Sequence, residues 1–312
     1  MKNIRMIFQG MSGWVQLLFL GLLCVGGIIF AWVISAVSII VFMAKNGESN
    51  MVVATFNAMK SVDFLRLSQL ITQIFLFIIP ALLYAYLFNK DGIRHLKISR
   101  LPDMRFLILS VLLIIVVQPL ISFTGYYNAK MQLPDLMSGI EDFFQKYEVQ
   151  TKMIMDQLLQ DTSTFGLISN LFIIAIMAGI SEEFIFRGAL QQIFKKITSN
   201  YHLAVWISAF IFSAIHMQFY GFVPRMLLGA VLGYMFVWSG SLWLPVIIHA
   251  LYNGFIVLMY RFYHGTPEFE KYDNIGVGDM WWSTLVSIVL TVLISVGMKR
   301  MYDQKVLFNN DI

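Results

Sequence analysis

The chain has 312 residues, 58% of them hydrophobic and 13% charged, with a formal net charge of +4 and a mean hydropathy of +0.73. Soluble domains carry about a quarter charged residues, so this composition excludes a soluble globular fold, and so small and dispersed a charge excludes a nucleic-acid partner. Apolar runs recur from Trp14 to Met298 with no polar block large enough to fold alone, which predicts an all-α, polytopic membrane helical bundle forming one integral membrane domain over residues 1–312.

The N-terminus, MKNIRM, is basic and precedes the apolar run from Trp14 to Ala44. That run is about twice as long as a signal-peptide core and no small-residue cleavage site closes it, so it is expected to be a retained first span. It contains Cys24, the single cysteine, which permits no intrachain disulfide.

A spanning helix needs about 20 mostly apolar residues. Eight segments are candidates, at roughly 14–43, 67–88, 106–123, 164–190, 203–219, 226–239, 242–260 and 281–298. The sixth is short, and without it the count falls to seven. Between the third and fourth, Leu136, Ile140, Phe143, Phe144 and Tyr147 recur at helical spacing with Glu141, Asp142 and Lys146 on the other face, which predicts a helix lying at the bilayer surface. A lid over a substrate entrance is the alternative reading. Gly229 and Gly233 form a small-xxx-small pair suited to close helix packing.

Lysine and arginine bias sets orientation. With eight spans, one side collects Lys2, Arg5, Lys90, Arg94, Lys97, Arg100, Arg105, Lys195, Lys196, Lys299, Arg300 and Lys305. The opposite loops mix both signs. Both termini are therefore expected in the cytoplasm, in a multi-pass protein of the plasma membrane.

Charged side chains in hydrocarbon cost several kcal/mol and are functional candidates by default. In AGISEEFIFRGAL, Glu183 and Arg187 stand at i and i+4 and can pair. Glu182 is rotated by about 100° and faces elsewhere. FIFSAIHMQF places Phe212 and His216 one turn apart, and LPVIIHALYNG does the same for His249 and Asn253. Counting about 1.5 Å per residue from the turn near residue 200, Glu182 and His216 both lie about 20 Å deep, with His249 and Asn253 at 12 to 18 Å. His95, His202 and His264 fall in loops or at span ends and are expected to be solvated or interfacial.

A carboxylate in such a place can take a proton from water, an imidazole can hold that water or receive the proton, and a second imidazole with a carboxamide can donate to an oxyanion. Together these are the parts of amide hydrolysis. Glu182, His216 and His249 also form a ligand set that would suit zinc. No HExxH motif is present, and no other cofactor is implied. The competing classes are a proton-coupled carrier and a non-enzymatic membrane immunity protein.

EEFIFR, FSAIH and HALYN fit Glu-Glu-x-x-x-Arg, Phe-x-x-x-His and His-x-x-x-Asn, in order and inside apolar helices. In this the chain resembles the CPBP (Abi or CAAX-protease) family of intramembrane proteases over about residues 165–260. The resemblance implies an endopeptidase in which Glu182 and His216 activate water and His249 and Asn253 stabilise the oxyanion, with Glu183, Arg187 and Phe212 supporting them. It implies a peptide or protein substrate beside the bilayer, without requiring that substrate to be prenylated. Many members are named metalloproteases, and a metal-free, glutamate-dependent mechanism is the reading preferred here.

Overall fold

The computed structural model describes residues 7–310. Lys2 and Arg5, counted in the charge bias, lie outside the described residues. All regular elements among the described residues are helical. The chain forms α1 (Gly13–Asn46), α2 (Met51–Met59), α3 (Val62–Phe88), α4 (Met104–Asn128), α5 (Ser138–Leu159), α6 (Thr164–Thr198), α7 (Tyr201–Ala214), α8 (Phe222–Ser239), α9 (Trp243–Tyr263), α10 (Pro267–Asp273) and α11 (Trp281–Asn310).

Polar caps fix the turns between spans. Ser12 accepts from Val15 N at the start of α1, Ser163 from Gly166 N at the start of α6, and Asn200 from His202 N and Leu203 N at the start of α7. Each side chain satisfies amide protons that the first helical turn leaves free.

Among the described residues seven helices are long and apolar enough to cross a bilayer, and α7 is a shorter apolar helix of 14 residues. Counting α7 as a pass gives eight among the described residues. At one end Lys196 Nζ donates to the Met11 carbonyl just before α1, Gln192 to the His95 carbonyl and the Ser241 hydroxyl to the Arg100 carbonyl. Lys305 of α11 shares a cavity there with Lys97, Arg100 and Lys195. The start of α1 and the end of α11 thus lie at the same end of the bundle, which an even number of passes accounts for.

The short member is the fifth pass, not the sixth as expected. The chain reverses at Met217, whose φ is +56°, and the Ser213 hydroxyl donates to the Phe222 carbonyl across the turn. The sixth pass begins at Phe222 because Pro224 stands in its first turn, where a missing amide proton costs nothing. The fourth runs on to Thr198, beyond the expected 190.

Two apolar clusters hold the bundle. One joins α1, α3 and α6 through Leu20, Tyr84, Phe88, Phe186 and Ile193. The other joins α4, α8, α9 and α11 through Phe106, Leu113, Leu232, Ile248 and Met298. The outer faces stay apolar, as helices facing lipid require. Gly229 packs against Ala209 and Phe212, and Gly233 against Val205 and Gln191, so the small-residue pair seats α8 on α6 and α7.

The amphipathic helix predicted at 136–147 is α5, extending to Leu159. Ile140 and Phe143 remain about half exposed, at 47% and 51%. Phe144 stacks on Phe219 with ring centroids 5.6 Å apart, and Glu141 and Gln145 bond the Tyr220 hydroxyl. The helix therefore lies over the loop that follows His216, on the end of the bundle opposite the basic one.

Candidate active site

The middle of α6 is irregular. Two wide π-helical segments, Leu171–Met177 and Phe184–Leu190, flank one ordinary turn, Ala178–Glu183. Such widened turns often mark functional positions in helices. Here they set the facing of the two glutamates: the Glu183 side chain is 0% exposed and that of Glu182 17%.

Glu183 is the hub of the polar cluster. Its Oε1 accepts from Arg187 Nη1 at 2.8 Å and from His249 Nδ1 at 2.8 Å. Arg187 Nη2 donates to the Gly229 carbonyl at 2.8 Å, and its guanidinium lies 5.1 Å from the Phe212 ring centroid. The i, i+4 pair expected from sequence is present. Its link to His249 was not foreseen, because the local pairing already accounted for Glu183 and a contact between α6 and α9 leaves no mark in either motif.

Both histidines are oriented in the same manner. A carbonyl or an ionised carboxylate can only accept, so the Nδ1 of His249 carries a proton towards Glu183, and the Nδ1 of His216 carries one towards the Phe212 carbonyl at 2.7 Å. That leaves Nε2 of each ring for chemistry. His249 Nε2 lies 3.7 Å from Glu182 Oε2, too far for a direct hydrogen bond. His216 is within electrostatic reach of Glu182 and His249.

Phe212 is buried and packs edge-on against both imidazoles, with ring centroids 5.0 Å from His216 and 6.2 Å from His249. Glu182, Glu183, Arg187, Phe212, His216 and His249 thus form one cluster. Asn253 stands one turn further along α9, where its Nδ2 donates to the Ile174 carbonyl at 3.1 Å. One amide hydrogen ties α9 to the π segment of α6, and the other has no partner among the described residues.

Close approach of α6 to α9 makes the Glu183–His249 bond geometrically accessible. A Cβ on Gly179 would lie 3.1 Å from the Val246 carbonyl oxygen and 3.1 Å from Ala250 N. Only glycine fits there without moving backbone.

Among the described residues no group of three His, Cys, Asp or Glu side chains could hold a metal ion as placed. As placed, Glu182, His216 and His249 are not gathered into such a group, although each histidine bonds through Nδ1 and leaves Nε2 open, the arrangement that metal-ligating histidines also use.

Sequence reasoning missed Arg225, in the first turn of α8. Its charge acts on His216 and on Glu182, its Nη2 donates to Gln218 at 2.6 Å, and its buried Nη1 has no partner among the described residues. The signal was an arginine four residues ahead of the Gly229 packing motif. Starting the sixth span at 226 left it in a loop.

A family model described as type II CAAX prenyl endopeptidase Rce1-like matches residues 164–255. The membrane-embedded CAAX protease MroQ of Staphylococcus aureus (strain USA300) is 32% identical over 94 residues, 28% of this chain and 38% of that protein. Uncharacterized protein YpbD of Bacillus subtilis (strain 168) is 25% identical over 111 residues, 34% of this chain and 53% of that protein. An uncharacterized 24.3 kDa protein of Escherichia coli is 32% identical over 102 residues, 30% of this chain and 46% of that protein. The chain spans about half the length, or less, of these relatives. No solved structure matches. The match to the Rce1-like model covers residues 164–255, the stretch that holds Glu182, His216, His249 and Asn253 and the three motifs.

Proposed function

We propose that the protein is an intramembrane endopeptidase. The observation that carries this reading is the meeting of Glu182, Glu183 and His249 from two helices, with His216 from a third within electrostatic reach of Glu182.

In the proposed reaction Glu182, the accessible acid of the pair, takes a proton from a water held with His216 Nε2 as the water oxygen attacks the peptide carbonyl. The carbonyl π pair moves to oxygen, and the oxyanion is met by the free Asn253 amide hydrogen and by Nε2–H of protonated His249. Collapse breaks the C–N bond, and the proton taken from water passes to the leaving amine. Glu183 and Arg187 do not touch substrate; they hold the His249 ring. The substrate enters from the bilayer or from the end covered by α5.

Both termini are assigned to the cytoplasm of a plasma-membrane protein, because the basic loops gather at the end where α1 begins and α11 finishes. The test of function is mass spectrometry of membrane-protein N-termini in cells expressing the wild type or Glu182→Gln at matched levels. Loss of a set of new N-termini in the variant, with accumulation of their precursors, is expected. Identical sets would rule out the peptidase.

A further inference from the structure

At the basic end of the bundle lies a cavity of about 310 Å³, within the size range of small-molecule sites. Four cations line it, Lys97, Arg100, Lys195 and Lys305, together with Trp238 and Tyr302, and no Asp or Glu among the described residues does. These cations come from three separate basic stretches of the sequence. In a loop they would spread into water; here the fold gathers them around one space.

The walls are built rather than incidental. Leu242 N donates to the Lys97 carbonyl, Trp243 Nε1 to the Ile98 carbonyl at 2.7 Å and the Ser241 hydroxyl to the Arg100 carbonyl, which pins the 97–100 loop to the turn before α9. Lys97 itself has a left-handed backbone, φ +60°, and its Nζ sits 4.7 Å from the Phe236 ring centroid. Burial first, and then repulsion from Lys195 and Arg100, push its ammonium down to about 8. Like charges held together against repulsion need a counter-charge. A second feature points the same way: Trp238 is 7% exposed and its buried indole N–H has no acceptor among the described residues.

We propose that this cavity binds a phosphate-bearing anion, such as the headgroup of an anionic phospholipid or a free phosphate. Lysine and arginine supply both the charge and the donors, with Trp238 and Tyr302 in the wall. The apolar stretch of α11 before Lys299 carries exposed Leu293 and Val296, so an acyl chain leaving the cavity towards the bilayer would lie along that part of α11. Lys195 is 13 residues beyond Glu182 on α6, about 20 Å along the helix. The site is therefore separate from the peptidase cluster and does not depend on it.

The full chain in neutral detergent can be tested by native mass spectrometry and thermal unfolding with dioleoyl phosphatidylglycerol, dioleoyl phosphatidylcholine and inorganic phosphate. Retention of phosphatidylglycerol at least tenfold tighter than phosphatidylcholine is expected, with a rise in unfolding temperature. Lys97→Gln with Arg100→Gln should abolish that preference, and so should Lys195→Gln with Lys305→Gln, whose side chains are exposed and leave the loop intact. Glu182→Gln should bind as wild type. If inorganic phosphate at millimolar concentration displaces the lipid or raises the unfolding temperature, the ligand is free phosphate; if it does neither, the ligand is the lipid headgroup. Equal retention of both lipids with no effect of phosphate, or unchanged preference in both double variants, would overturn the proposal.

Discussion

Glu183 holds His249 from below: its Oε1 lies 2.8 Å from His249 Nδ1, in a side chain with no exposed surface. The same oxygen also accepts from Arg187. One buried carboxylate therefore fixes the tautomer of an imidazole on α9 and neutralises an arginine on its own helix.

Replacing Glu183 should consequently cost stability as well as cleavage. Glu183→Ala leaves Arg187 buried without its counter-ion, a change that typically costs about 3–5 kcal/mol. Glu183→Gln keeps an acceptor but not the charge and should fall between. Unfolding in detergent by temperature ramp measures both; a Glu183→Ala protein as stable as wild type would contradict the hub role.

Gly179 sets the spacing of α6 and α9. Gly179→Val should force the helices apart, destabilise by about 1–3 kcal/mol and lose cleavage by breaking the Glu183–His249 bond. Gly254→Ala is the control, because its Cβ would meet Ala175 at an ordinary 3.6 Å. Equal tolerance of the two substitutions would show that close approach is not required.

His95 supplies a pH dependence of stability. It was expected to be solvated or interfacial, and it is half-buried and packs edge-on against Tyr84. Burial, with further pressure from Lys97 and Lys196 against the pull of Asp91, brings its imidazole down to about 4. An unfolded chain protonates this ring near 6.5 while the folded one resists, so its contribution is fully present above about 6.5 and is lost as pH falls towards 4. The loss is at most about 3 kcal/mol. His95→Phe should flatten the stability profile in that window; a profile unchanged by the substitution would refute the assignment.

Chelation tests the metal-free reading. Cleavage by purified protein treated with a strong chelator, and checked for zinc by elemental analysis, should continue undiminished. Loss of turnover restored specifically by zinc would require Glu182, His216 and His249 to rearrange into a ligand set.

The site was legible in the sequence where cost makes a residue conspicuous. A glutamate, arginine or histidine inside an apolar run must face protein, and helix rise alone put Glu182 and His216 at matching depth. What could not be read was lateral geometry. Glu183 has a satisfying partner four residues away, so nothing in EEFIFR reveals its second bond to His249. The reversal at Met217 uses a left-handed residue that is not glycine, and no turn signal marks it. The sixth span was started at 226, although the helix begins at Phe222 with Pro224 in its first turn, and that displaced Arg225 from view. The π segments on either side of Glu182 and Glu183 are invisible because their composition is that of any apolar helix.

The division of labour between the two glutamates is tested most directly by measuring cleavage rate and unfolding temperature together for Glu182→Gln in proteoliposomes, using a substrate identified from the N-terminal comparison. The rate should fall by about 10²-fold or more, the scale of a lost general base, while the unfolding temperature stays within a few degrees of wild type. A rate within a few fold of wild type, or a loss of rate that merely follows loss of the fold, would contradict the role assigned to Glu182.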